Sequence, residues 1–139
     1  MALELPRPGA VIDYPYLWAL ERDAGETEGR KARPTCVVVS LATASGEHLV
    51  ALLAITSQTP RDADTAVEVP ALELRRAGLA GHRRAWVITD EFNTDILERS
   101  WCYAPNARRG AFSPAFLAQI LKAFRPTLAR RGAAVNRQG

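Results

Sequence analysis

Arg33-Pro34-Thr35-Cys36-Val37-Val38-Val39-Ser40 and, further along, Leu52-Leu53-Ala54-Ile55-Thr56-Ser57 are the two stretches on which the reading of this chain turns. Each reads as a buried strand with a polar residue at its end. If the strands pair, an arginine and a threonine hydroxyl come within reach of one another, and those are the parts of a phosphate site. Between the strands, Ala44-Ser45-Gly46-Glu47 reads as a hairpin turn into His48 to Ile55. Pro34 fits the first residue of a strand, where no ladder donor is missed.

Toward the N-terminus, Pro8-Gly9-Ala10-Val11-Ile12-Asp13-Tyr14 reads as a first strand entered through a turn. Tyr14, Tyr16 and Trp18 continue with a strand period, although Trp18 to Arg22 reads equally as the start of a short helix. The run from Asp23 to Ala32 is polar, punctuated by glycine and without periodicity, so an exposed loop is expected there.

Toward the C-terminus, Ala66 to Val69 alternates as a short strand. Pro70 can then open a helix over Ala71 to Ala77, with Gly78 as its left-handed stop. Trp86 to Thr89 is a further strand, which Phe92 to Leu97 extends or pairs with. Ser113-Pro114 supplies an N-cap and a first-turn proline. Phe116, Leu117, Ile120, Leu121 and Phe124 then form one helical stripe, ended or kinked by Pro126. The pattern predicts an α+β fold: a small, strongly bent antiparallel sheet or partial barrel with a C-terminal amphipathic helix against it.

At 139 residues and 47% apolar content, the chain is sized for one domain, expected over residues 1–128, followed by a basic, disordered tail over 129–139. No apolar run approaches a membrane span and no export signal is visible, so a cytoplasmic protein is expected. Cys36 and Cys102 have neither disulfide-scaffold nor metal-ligand spacing. The charge is lopsided: the last 41 residues carry +8 and no acidic side chain, whereas the first 98 carry −5. Such asymmetry suits a polyanion or an acidic partner, or a solvated helix face followed by a frayed tail.

The order of Pro8-Gly9 before a first strand, a polar loop, Arg33-Pro34 leading an apolar strand, Ile55-Thr56-Ser57 closing the next, and a terminal helix resembles the PemK/MazF toxins of bacterial type II toxin–antitoxin systems. The likeness covers roughly residues 6 to 125. Gly29-Arg30-Lys31 before Arg33-Pro34 is similar to the PemK-like branch. The resemblance implies an SH3-like barrel, a homodimer, a cognate antitoxin that covers the RNA groove, and metal-independent cleavage of single-stranded RNA without a cofactor. It makes Arg33 the phosphate-contacting arginine and Thr56 the active-site hydroxyl. Self-cleavage of RNA needs the 2′-OH deprotonated, the phosphate stabilised as charge builds, and the 5′-oxygen protonated. A guanidinium and a hydroxyl suit those tasks.

Further RNA contacts are expected from Tyr16 and Trp18 by base stacking, from Arg30, Lys31 and Ser57 around the groove, and from His82, Arg83 and Arg84 along the backbone. Trp18 is expected to be exposed and Tyr14 to fill the core. His48, just after the hairpin, reads as solvent-exposed. Asp90, Glu91 and Asp95 fall where some relatives carry an aspartate–arginine acid–base pair, and here Asn93 stands in place of the basic residue. Two other functions compete: a gyrase-poison-like protein resembling the CcdB toxins, and a decayed toxin that binds antitoxin or nucleic acid without cleaving.

Overall fold

The computed structural model describes residues 5–23, 25, 31–100, 103–104, 107–130 and 133–137. Strand β1 (Ala10–Tyr14) leads into helix α1 (Ala19–Asp23), then β2 (Arg33–Ala42), β3 (His48–Thr56), β4 (Ala66–Glu68), α2 (Ala71–Arg76), β5 (Trp86–Ile88), β6 (Phe92–Ile96), β7 (Arg108–Ala111), α3 (Pro114–Phe124) and β8 (Ala134–Asn136). The strands form one sheet in the order β4-β5-β3-β2-β1-β7, with β6 pairing β3 and β8 pairing β6. Every pairing is antiparallel except β6 with β8. The fold is α+β with a mostly antiparallel sheet. Among the described residues, no helix is long and apolar enough to cross a membrane.

The apolar run of β3 is continuous because both faces of the sheet are covered there. On one face Val11, Cys36, Leu53, Ile55 and Val87 pack against Phe116, Ile120 and Phe124 of α3, the stripe expected from the helical spacing. On the other face Ile12, Tyr14, Val37, Val50, Leu52 and Ala54 gather with Tyr16 and Leu97. Pro34 lies one residue inside β2. Its missing N–H costs no ladder bond toward β3, where pairing begins at Thr35 opposite Ala54.

Helix α2 ends at Arg76, and Gly78 follows with φ +72°. Beyond its turn role, Gly78 lets α2 approach β7. A Cβ on Gly78 would meet the Arg109 carbonyl oxygen at 2.5 Å, and one on Gly110 would meet that of Arg76 at 2.3 Å. The two glycines thus hold each other's segments in backbone contact.

Several elements differ from expectation. The strand period of Tyr14, Tyr16 and Trp18 is not used beyond Tyr14, and the helical alternative forms as α1, where Glu21 accepts from the Trp18 N–H at 3.1 Å. Strand β7 has no apolar alternation in Arg-Arg-Gly-Ala and owes its place to backbone pairing with β1. The tail is corrected over 133–137: β8 pairs with β6, Ala133 and Val135 are buried, and Arg137 N–H donates to the Thr94 carbonyl at 2.8 Å. Small and β-branched residues let it fit along the edge of β6 that β3 does not cover.

Glu73 couples the two helices on the α3 side. Its carboxylate accepts from Ser113 N–H and Oγ, each at 2.8 Å, and from Arg76 at 2.7 Å. Ser113 Oγ in turn accepts from Phe116 N–H as the N-cap of α3. Burial alone pushes the Glu73 carboxyl up, but the Ser113 hydrogen bonds and the Arg76 charge outweigh it and hold the group below its ordinary value. A depressed folded-state pKa stabilises the fold above the unfolded glutamate pKa, and that contribution is lost as pH falls through the folded value. Glu73→Ala therefore costs about 2–3 kcal/mol. Glu73→Gln flattens the acid limb of Tm against pH, and an unchanged acid limb would contradict this role.

Candidate functional site

Residues directly opposite one another on paired strands share a face of the sheet. Tyr14 is paired with Arg33, Thr56 with Trp86, and Trp86 with Glu68. The β2–β3 pairing begins at Thr35 with Ala54, and Arg33 and Thr56 are the residues two further along at the adjoining ends of these strands. Two short paired sets, Tyr14 with Arg33 and Thr56 with Trp86 and Glu68, therefore adjoin one another there and form a transverse row. The row lies on the face away from α3, at the end where the apolar packing gives way to half-buried Arg33 and Thr56.

Arg33 stacks its guanidinium over the Trp18 ring, 5.1 Å from the centroid. Its Nε is buried and finds no acceptor among the described residues. A guanidinium seated on an indole, with its Nε unpaired among the described residues, has the chemistry to meet a phosphate. Thr56 Oγ1 accepts from the Gln58 N–H at 3.1 Å, so its own proton is the part left to donate. Lys31 and Ser57 are exposed beside these strand ends. Arg30 lies outside the described residues, as does Cys102.

Trp18 is half-buried rather than exposed, packed edge-on against Tyr16 with ring centroids 5.1 Å apart. Tyr16 is corrected: at 1% exposure its ring offers no stacking surface. The cause is β6 and the residue that precedes it: Glu91, Asn93 and Asp95, at alternate positions, take hold of the segment from Tyr14 to Ala19. Tyr14 Oη donates to Asp95 at 2.7 Å. Asn93 accepts from Leu17 N–H at 2.9 Å and donates to the Leu17 carbonyl at 2.7 Å. Glu91 accepts from Tyr16 Oη at 3.1 Å and from Ala19 N–H at 2.9 Å. Burial pushes Glu91 above its ordinary value, with Asp90 adding to the effect against the two donors and Arg22. Burial, then Glu91, raises Tyr16 as well.

The second arginine–tryptophan stack was missed in the sequence. Arg84 lies over the Trp86 ring, 4.9 Å from its centroid, and donates through Nε and Nη2 to the two Glu68 oxygens at 2.8 and 3.0 Å. The signal was weak: the pairing needs β4 and β5 side by side, and Glu68 is sixteen residues from Arg84. His82 and Arg83 are exposed in the turn before it. Arg83 borders a cavity of about 450 Å³ that Glu68, Val69, Pro70, Ala71 and Leu74 also line.

The remaining candidates are drawn into the fold. His48 is half-buried and bonded through Nδ1 to Glu98, which its hydrogen bond holds below the ordinary carboxylate value. Burial pushes the Cys36 thiol up to about 12, so it stays protonated and inert. Among the described residues, no group of three or more His, Cys, Asp or Glu side chains is placed to hold a metal ion. A separate cavity of about 480 Å³ opens against β1 and β7, bordered by Arg7, Tyr103 and Arg108, away from the row.

Two substitutions test the grip of β6 on the aromatic segment. Asn93→Ala leaves both polar groups of the Leu17 backbone unpaired in a buried site, so a loss of about 2–4 kcal/mol with a changed Trp18 fluorescence is expected in chemical denaturation. Glu91 has a raised folded-state pKa, so its contribution is full below the unfolded value and is lost as pH rises through the folded one. Glu91→Gln, which accepts without ionising, should retain wild-type stability at low pH and exceed it at neutral pH; lower stability at both would contradict the assignment. No protein-family model matches this chain, and no curated protein matches it.

Proposed function

We propose that this protein is a metal-independent endoribonuclease that cleaves single-stranded RNA, acting as the toxin of a type II toxin–antitoxin pair. The observation that supports the reading is that Arg33 and Thr56 end adjoining strands, with the Arg33 Nε buried and without an acceptor among the described residues. The resemblance to PemK/MazF toxins supplies the reaction class. On this reading the fold is the SH3-like barrel of that family, the protein works as a cytoplasmic homodimer, and a cognate antitoxin covers the row.

The chemistry follows from the two groups. Arg33, seated on Trp18, offers N–H donors to the non-bridging oxygens of a phosphate and stabilises them as the adjacent 2′-OH attacks. Thr56, anchored by the Gln58 N–H, turns its hydroxyl proton toward the same phosphate. The O2′–P bond forms as O2′ gives its proton to solvent, the P–O5′ bond breaks as O5′ takes a proton with the Thr56 hydroxyl assisting, and the products are a cyclic 2′,3′-phosphate and a 5′-hydroxyl. Trp18 holds the guanidinium flat, so Arg33→Lys is not conservative here.

A second reading is favoured by one observation. Asn93, where some relatives carry the basic partner of an acid–base pair, spends its amide on the Leu17 backbone. A non-cleaving protein of the same fold, binding RNA or an antitoxin, would have that arrangement.

Incubation of the protein with long single-stranded RNA in EDTA separates the two. Cleavage at defined positions with cyclic-phosphate ends is expected, reduced roughly 100- to 1,000-fold in Arg33→Ala by loss of a transition-state donor. Intact RNA with the folded wild type would leave the non-cleaving reading.

A further inference from the structure

The two arginine–tryptophan stacks flank Thr56 on one face of the sheet, yet their chemistry differs. Arg33 has an unspent buried Nε and no acidic partner among the described residues. Arg84 gives both Nε and Nη2 to Glu68, which neutralises its charge and occupies one side of its fork. Trp86 covers one plane of the Arg84 guanidinium, and the side chain is 60% exposed, so the other plane faces solvent.

A phosphate is best met by an unoccupied fork and an uncompensated charge, and Glu68 occupies one side of the Arg84 fork and offsets its charge. An unpaired nucleobase needs a flat, weakly hydrated π surface, which a guanidinium pinned on an indole provides. Two strand spacings separate Arg33 from Trp86, roughly 10 Å between backbones, a span that one nucleotide's phosphate and a neighbouring base can bridge. The cavity bordered by Glu68 and Arg83 leaves room beside the stack.

We propose that the Glu68–Arg84–Trp86 stack is a base-binding subsite, in which an unpaired nucleobase next to the Arg33-bound phosphate lies on the open plane of Arg84. The inference rests on the RNA-binding part of the proposed function and assigns Arg84 to a base rather than to the RNA backbone. Glu68 is a positioning residue: it fixes the plane of the guanidinium and cancels its charge.

The test measures affinity for short, uncleavable 2′-fluoro single-stranded RNA across a range of salt concentrations. Arg84→Ala should weaken binding about 5- to 100-fold, the equivalent of one lost stack, without changing the slope of log affinity against log salt. Arg33→Ala should lower that slope by about 0.7, the amount for one phosphate contact on a single strand. Placing one abasic nucleotide at successive positions should reveal a site where the missing base weakens the wild type but not Arg84→Ala. Glu68→Gln, which frees the Arg84 charge, should steepen the slope.

A reduced slope in Arg84→Ala would make Arg84 a phosphate contact and overturn the subsite. Unchanged affinity in that variant, with the wild type binding well, would also overturn it while leaving the proposed function standing. A folded wild type that binds neither this RNA nor its 2′-hydroxyl counterpart would overturn both.

Discussion

The hold of β6 on the segment from Tyr14 to Ala19 is the constraint on which the rest of this molecule depends. That segment leaves the sheet at Tyr14 and has no strand partner for its own backbone, yet Tyr16 and Leu17 are buried. Buried backbone groups without partners would cost more than the apolar contacts return. Asn93 supplies both partners to Leu17, Glu91 serves the Ala19 N–H, and Asp95 and Glu91 take the two tyrosine hydroxyls. Three polar residues at alternate positions, Asn93 and Asp95 in β6 and Glu91 just before it, would be expected to face water and here face a covering segment. Their grip fixes Trp18, and Trp18 fixes Arg33.

Packing on the opposite face is of a different kind. There α3 lays an apolar stripe on the sheet, and specificity comes from Glu73, which joins α2 to the N-cap of α3. The glycines at 78 and 110 bring α2 against β7 with no room for a side chain. One face is set by shape and a single carboxylate, the other by a ladder of hydrogen bonds, and β3 is buried between them.

Charge in this protein is organised by pairing more than by net sign. Two arginines of the acid-free C-terminal stretch are tied to acidic residues far back in the chain, Arg109 to Asp13 and Arg99 to Glu47. Arg84 is neutralised by Glu68. Arg33 differs from Arg84 in having no acidic partner among the described residues, although both are seated on a tryptophan. Position along the row thus decides what each cation can bind.

Much of the fold was legible in the residues themselves. The hairpin of β2 and β3, the short helix stopped by Gly78, and the capped stripe of α3 follow from local periodicity and turn chemistry, which act over a few residues. The register at the far end of that hairpin was not readable: the turn pairs Ala42 with His48 and, carried on, would pair Thr35 with Ile55, but a shift between Val37 and Val39 pairs Thr35 with Ala54 instead. Strands β7 and β8, the burial of Tyr16, the structural use of Asn93 and the stack of Arg84 on Trp86 were not readable either. Each depends on a partner sixteen to about a hundred residues away, and on which face of the sheet that partner meets. Local sequence determined the hairpin and the helix boundaries, since those interactions close within a turn or two. Only the tertiary structure decided which aromatic is covered, which arginine keeps its charge and where the C-terminal segment pairs, since those outcomes are set by packing and hydrogen-bond satisfaction between distant segments.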